Sequence, residues 1–563
     1  MKKTLVAVTA ACVALCSCQN QDEMKLKQLL DDLQAKIQPV RTASAVAYWL
    51  GTTEGDESQF EKYAQENQRL TAITSDKEVF NELKKYKESG NIKDSLLLRQ
   101  LDVVYNMFLG NQADPELLNK IIERSSKLEQ KYSTFRADFN GKKITDNEVE
   151  NILRNSTSNA DLKSVWLAHK AIGRVVAQDV VEIVKLRNEV ARSLGFENYH
   201  KMSLELSGQN PDEISALFEE LDNMTRDGFA SLKAEMDVIL AKRFKIKPEE
   251  MMPWHYQGRF FQEAPDIYPV DLNKYYKGKD LEKLTIDYFN GMGINISDVM
   301  ARSSLYPKEG KNQHAYCTAI DGAGDIRVMC NIVDNETWMG TMLHEFGHAA
   351  YAKGHDNESN PFFLREAAHI FTTEAIAELF GRFSRNPEWM QKMLGLSDEE
   401  KAAIADDCIK SARLQQLVMS RWVQVVYRFE ESMYANPDQD LNALWWTLVE
   451  KYQMMTKPEG RDEPDWASKI HIALYPCYYH NYLLGEIFAS QMHYYITDKI
   501  VGSGDYASEC YIGNTEVGKW FVEKIFNVGM RYEWNDMIER ATGEKLTAKY
   551  YKMQFVDYPD STF

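Results

Sequence analysis

Long apolar runs are nearly missing from this chain of 563 residues. One stretch, Leu5 to Leu15, qualifies, and it is shorter than the roughly 20 residues that a permanent membrane-spanning helix needs. No stretch is therefore long and apolar enough to cross a membrane as a permanent helix. Basic residues are in deficit: 66 Lys and Arg stand against 84 Asp and Glu, a net charge of −18. Nucleic acid is thus excluded as the main partner, although an acidic protein can still hold a cationic cleft. Cysteine is sparse, eight in all. Cys12, Cys16 and Cys18 fall in the first 18 residues, leaving Cys317, Cys330, Cys408, Cys477 and Cys510. That set is too thin and too scattered for a disulfide scaffold. Proline is absent between Pro115 and Pro211, so that span carries no obligatory helix breaker. Internal repeats and low-complexity tracts are lacking as well.

What is there suits a large packed core: 44% hydrophobic and 11% aromatic residues. The length exceeds the usual size of one core, so two subdomains around a cleft are expected. The N-terminus reads as a targeting segment, with Lys2-Lys3 ahead of the short apolar run. Leu15-Cys16-Ser17-Cys18 looks like a bacterial lipobox, with Cys18 as the lipidated first residue of the mature chain. The expected organisation is a signal peptide over 1–17, a polar tether over 18–30, and a helical unit of two subdomains over 31–563. The expected location is the cell envelope, on its periplasmic or surface face, with the lipid bilayer as a partner through the anchor.

From about residue 25 to 245 the spacing is helical. Asn210-Pro211-Asp212-Glu213 is a helix start, with a cap and then proline at the first position. Ile214, Leu217, Phe218, Leu221 and Met224 continue one apolar face. Residues 246–275 change character: prolines break helices and aromatics gather, as in a loop lining a cleft or a surface crossover. Residues 314–320 and 326–332, around Asp321-Gly322-Ala323-Gly324-Asp325, predict a β-hairpin. Cys317 and Cys330 flank it, and either a disulfide or two free thiols fits. Helices resume over 385–455, where Leu444 to Tyr452 reads as core.

The organising stretch is Met339 to Tyr351, which contains His344-Glu345-Phe346-Gly347-His348. On a helix, residues four apart leave the same face, so both imidazoles can bind one Zn²⁺ while Glu345 reaches a water beside it. Asp334 and Asn335 are cap candidates and Lys353-Gly354 is a stop. A hydrolytic zinc site takes three protein ligands, and Glu366, His369, Glu374 and Glu378 compete for the third place. Spacing alone does not decide between them. Glu374 and Glu378 share a helix face, with Thr372 or Thr373 as cap; one suits the metal, Glu374 being favoured, and the other suits a ligand histidine's second nitrogen. A second constellation, Lys469-Ile470-His471 followed by Tyr475, Tyr478, Tyr479 and Tyr482, precedes a helix beginning near Asn481. It offers donors for an oxyanion and for a carboxylate.

With these residues in view, the chain resembles the angiotensin-converting-enzyme family of zinc-dependent peptidyl dipeptidases. The likeness rests on Ala45-Val46-Ala47-Tyr48-Trp49, His314-Ala315, the His-Glu-x-x-His helix, Glu374-Ala375-Ile376-Ala377-Glu378, and Lys469 through Tyr482. It implies a mainly α metallopeptidase fold, two subdomains around a deep cleft, with a small β-hairpin beside the active-site helix. It implies one Zn²⁺ held by His344, His348 and Glu374, with Glu345 as general base and acid and Glu378 as an outer acid. His471 and Tyr482 match oxyanion donors, Lys469 and Tyr479 match residues that grip a terminal carboxylate, and His314 and Ala315 match the strand that holds the peptide. Short peptides with a free C-terminus are the implied substrates.

Three departures stand out. The spacing from His348 to Glu374 is long, so extra loop residues must be absorbed. The family's carboxylate-binding glutamine could correspond to Gln257, or to Tyr256 in its place. Asn481 stands where chloride-activated members carry arginine. Tyr479 to Glu486 also resembles thimet oligopeptidase and oligoendopeptidase sequences, so cleavage inside short peptides is the alternative. A catalytically dead peptide-binding lipoprotein is the third reading.

Overall fold

The computed structural model describes residues 21–557 except residue 269. The expected signal peptide and Cys18 lie outside the described residues. The tether expectation is corrected: helix α1 (Gln21–Glu54) begins at residue 21. Leu26, Leu30, Leu33 and Ile37 recur at three- and four-residue steps along one face, and all four are buried. They pack with Leu83, Tyr86, Leu101, Val104 and Phe108 from the next helices. Phe362 and Phe363, from far along the chain, complete that cluster.

Aspartates start the following helices. Asp56, Asp76, Asp94 and Asp114 each accept a backbone N–H from the first turn. Such a cap contributes about 1 kcal/mol. The helical reading of 25–245 holds except for a hairpin it omitted, β1 (Ala137–Phe139) with β2 (Lys142–Ile144). Asn140 and Gly141 turn it with φ of 54° and 79°, the left-handed pair that a two-residue hairpin needs. Helix α2 (Pro211–Phe244) starts as expected, with Asn210 accepting from Asp212 and Glu213.

Residues 246–275 are largely irregular, with short 3₁₀ turns at Pro248–Glu250 and Pro253–His255. Trp254, Tyr256, Phe260 and Phe261 are buried in the main core. Phe261 has φ 53°, a left-handed conformation for an aromatic residue. Gln453 Nε2 donates to the carbonyls of Phe260 (3.1 Å) and Phe261 (2.8 Å), which holds the loop there.

The predicted hairpin forms, with shorter strands: β3 (Tyr316–Ala319) pairs antiparallel with β4 (Ile326–Met329), Tyr316 opposite Met329. Among the described residues the outer edge of β3 has no strand partner. Helix α3 (Glu336–His355) follows, capped by Asn335 accepting from Trp338. Helix α4 (Ile370–Gly381) packs on α3, and after the long α5 (Asp398–Ala435) helix α6 (His480–Tyr495) packs on α4. These contacts are close because glycines face neighbouring backbone. A Cβ on Gly347 would lie 3.2 Å from the Ala377 Cα, and one on Gly485 3.2 Å from the Glu374 Cβ. The main core takes residues from Leu128 through Phe555. Trp445 and Trp446 lie in it, as expected.

Candidate metal centre and active site

Helix α3 presents His344 and His348 one turn apart, ring centroids 4.8 Å from each other. Glu374, on α4, faces both: its Oε2 lies 4.0 Å from His344 Nε2 and 3.9 Å from His348 Nε2. Among the described residues this is the one set of three or more such side chains whose donor atoms all lie within 4.8 Å of one another. Tetrahedral ligands at about 2.0–2.2 Å from zinc sit roughly 3.3–3.5 Å apart, so small rotations close the set on an ion.

The surroundings fit a divalent cation. His348 Nδ1 meets Thr373 Oγ1 at 2.7 Å, and His344 Nδ1 faces Glu378 Oε1 at 3.7 Å. Both rings therefore turn Nε2 toward the centre. Burial holds His348 down to about 3, with His344 adding to the effect, so it is neutral and able to ligate. Burial raises Glu374 to about 7, with Glu378 as the second cause. Glu345 is raised to about 8 by burial and then by Glu374 and Glu378. Its Oε2 is buried without a hydrogen-bond partner. Two imidazoles and buried carboxylates are thus gathered, which is the donor chemistry of a zinc site.

The other candidates for the third ligand are placed elsewhere. Glu366 is exposed and pairs with Arg41 at 3.1 Å. His369, rather than Thr372 or Thr373, caps α4. Its Nδ1 accepts from the Phe371 amide at 3.3 Å, and Thr372 Oγ1 accepts from the His369 amide at 3.2 Å. Residues 356–369 connect the two ligand helices, with a 3₁₀ turn at Phe362–Leu364.

Lys469 is 6% exposed and donates from Nζ to Gln262 Oε1 at 2.6 Å. Its ammonium lies 5.1 Å over the Tyr479 ring and 5.2 Å over Phe260. Burial lowers Lys469 to about 7, and Arg259 adds to that. Gln262, beside Lys469, is a residue that the sequence reading missed, while Gln257 and Tyr256 are engaged elsewhere. Gln257 donates to the Arg154 carbonyl and accepts from the Asp266 amide. Tyr256 is engaged with Lys233 and Asp237. The signal that could have found Gln262 was the glutamine directly after the paired aromatics Phe260 and Phe261.

His471 lies between Tyr475 and Tyr479, centroids 5.6 Å and 5.1 Å away. Its Nδ1 is buried without a partner, and burial, then Lys469, lowers it to about 4. Tyr482 is half-buried 5.3 Å from Tyr479. Its phenol is raised by burial and then by Glu374 and Glu378. His314, exposed, and Ala315, half-buried, precede β3, and that strand packs on α3. Asn481 is buried and accepts from Gln209 Nε2 at 2.9 Å, while Gln209 Oε1 accepts from His480 at 2.7 Å. A neutral amide network thus occupies that position. All five cysteines beyond residue 18, Cys317 and Cys330 included, are unbridged.

A family model described as angiotensin-converting enzyme matches residues 20–556. The chain belongs to the angiotensin-converting enzyme family. Angiotensin-converting enzyme of Mus musculus is 22% identical over 580 residues, covering 94% of this chain and 42% of that protein. The Rattus norvegicus enzyme is 22% identical over 568 residues, covering 93% and 42%. The Oryctolagus cuniculus enzyme is 24% identical over 385 residues, covering 62% and 29%. The chain thus spans about two fifths of the length of the first two relatives. The mainly helical fold is consistent with that family, and the His344, His348 and Glu374 set is consistent with a zinc site.

Proposed function

We propose that this chain is a zinc-dependent peptidase that releases dipeptides from the C-terminus of oligopeptides. The observation that carries the reading is the Lys469–Gln262 pair, in contact through Tyr479 with His471 and Tyr482, the latter on the helix that packs against the helix of Glu374. A buried ammonium is unfavourable unless an anion answers it, and a peptide's terminal carboxylate is that anion.

Zinc, when bound, supplies Lewis-acid polarisation of water and of the scissile carbonyl. Glu345 takes a proton from the attacking water onto its free Oε2 and later returns it to the leaving amine. His471 and Tyr482 donate to the carbonyl oxygen as it gains charge; one such donor typically contributes on the order of 10²–10³ in rate. Lys469, Gln262 and Tyr479 hold the carboxylate, and the open edge of β3, after His314 and Ala315, pairs with the peptide backbone.

The test is product analysis by mass spectrometry on one decapeptide and its C-terminally amidated twin. Dipeptide release confined to the free acid supports the reading. Internal cuts at equal rates in both favour an oligoendopeptidase. Turnover by His344→Ala at the wild-type rate overturns the zinc reading. The N-terminal lipobox supports an envelope location with Cys18 lipidated, and no described helix is long and apolar enough to cross a membrane. Loss of labelling by a fatty-acid precursor in Cys18→Ala is the expected result.

A further inference from the structure

A row of rings runs from Lys469 through Tyr479 to Tyr482, on the helix that packs against the helix of Glu374. Tyr479 meets His471 at 5.1 Å and Tyr482 at 5.3 Å. Tyr482 in turn meets Tyr478 edge-on, centroids 5.4 Å apart and planes at 83°. Tyr482 stands mid-row, with Tyr479 and Lys469 toward one end and Tyr478 at the other.

The phenols differ in setting. Tyr479 is buried against Trp422, ring centroids 6.1 Å apart, on the lysine's side. Tyr478 and Tyr482 are both half-buried. No hydrogen bond among the described residues ends on either hydroxyl. Glu374 is the charge with the largest effect on each: burial pushes both phenols up, and that carboxylate is the next cause in both cases. Tyr478 touches Tyr482, and α6, which carries Tyr482, packs on α4 so closely that a Cβ on Gly485 would lie 3.2 Å from the Glu374 Cβ. A ring needed for packing alone would serve as well without its hydroxyl. A half-buried donor with no protein partner gains from an acceptor that arrives with the substrate.

We infer that Tyr478 is a third oxyanion donor, beside His471 and Tyr482: its hydroxyl and that of Tyr482 together hydrogen-bond the scissile carbonyl oxygen as it gains charge. No proton leaves Tyr478; the phenol donates a hydrogen bond and keeps its hydrogen. The inference rests on the peptidase reading and deepens it. It makes Tyr478 a catalytic residue that the His-Glu-x-x-His and Lys469-Ile470-His471 motifs do not include. Two adjacent donors each carry part of the developing charge, so each alone contributes less than a lone donor would.

Tyr478→Phe keeps the ring contact and deletes the donor. The expected result is a fall in kcat of about 10- to 100-fold with KM within about threefold of wild type. Affinity for a peptide phosphinate, a tetrahedral mimic, falls by the same factor as kcat/KM. Affinity for the product dipeptide and zinc affinity, read by competition with a chelator, stay at wild-type values. Tyr478→Phe with Tyr482→Phe loses less than the product of the single losses. Wild-type kcat/KM and wild-type phosphinate affinity in Tyr478→Phe overturn the inference. So does weakened zinc binding with full kcat recovery at saturating zinc, which would make Tyr478 a positioning residue for Glu374. His344→Ala is the control: if it is inactive while Tyr478→Phe is wild type, this inference alone falls, and if it turns over at the wild-type rate, the zinc-dependent reading falls with it.

Discussion

Replacing Lys469 by methionine keeps the length of the side chain and deletes its charge. A peptide carboxylate reaching Lys469 meets a group that is 6% exposed, so the pair forms largely out of water. Hydrogen bonds to charged groups contribute about 1.5–3 kcal/mol, which is roughly 10- to 150-fold in kcat/KM for a free-acid peptide. The amidated twin brings no charge to the pair and should lose about fivefold or less. The assay is kcat/KM for both peptides with both proteins. Loss by the same factor for acid and amide would refute the assignment. The pH profile supplies an independent check. Burial, with Arg259 adding, holds Lys469 near 7. Below that pH the lysine is charged and grips the carboxylate; above it the lysine is neutral. KM for the acid should therefore be flat below about pH 7 and rise above it by up to about tenfold per unit. Amide substrate and Lys469→Met should show no such rise. The stability consequence has the opposite direction. The folded-state value near 7 lies below the ordinary 10.5, so the unfolded chain binds more protons between those values. Folding stability therefore increases as pH rises through that window, and thermal melts should register the increase.

Three further outcomes follow from the same geometry. Thr373→Val removes the partner 2.7 Å from His348 Nδ1, and zinc affinity should fall about 10- to 100-fold by chelator competition. Gln262→Ala should raise KM for free-acid peptides about tenfold with kcat nearly unchanged, whereas Gln257→Ala should leave the acid-to-amide ratio of kcat/KM at its wild-type value. Gly485→Ala places a methyl 3.2 Å from Glu374 Cβ and 3.3 Å from the Ala375 amide nitrogen. Overpacking of that kind typically destabilises by about 1–3 kcal/mol, so a lower melting temperature and weaker zinc binding should appear together.

Features carried by neighbouring residues were legible in advance. The His344–His348 step, the Asn335 cap and the Asn210-Pro211 start each need only a few consecutive positions, and each forms. Features that depend on distant partners were not. Gln262 finds Lys469 across 207 positions, and only the Phe260-Phe261 pair before it sets it apart locally from Gln257. His369 caps α4 with a ring nitrogen, a role that hydroxyl and carboxylate side chains usually fill, so Thr372 and Thr373 drew the assignment. The hairpin at Asn140-Gly141 has three-residue strands, too short for alternation to register. Leu26 and Leu30 sit among polar neighbours, and their shared face shows only once the helix is traced through them. Helix α6 has almost no polar face because nearly all of it is buried, which removes the periodicity that would have outlined it.

The pairing of Phe362 and Phe363 with the first helices has a consequence for biosynthesis. Leu26, Leu83, Leu101 and Phe108 leave the ribosome long before these two phenylalanines exist. Their apolar surface must wait, exposed or shielded by a chaperone, until more than half of the chain has been made. The segment that ends the wait is the connector between the two ligand-bearing helices. Maturation of the amino-terminal part and assembly of the zinc pocket are thereby coupled to a single late event.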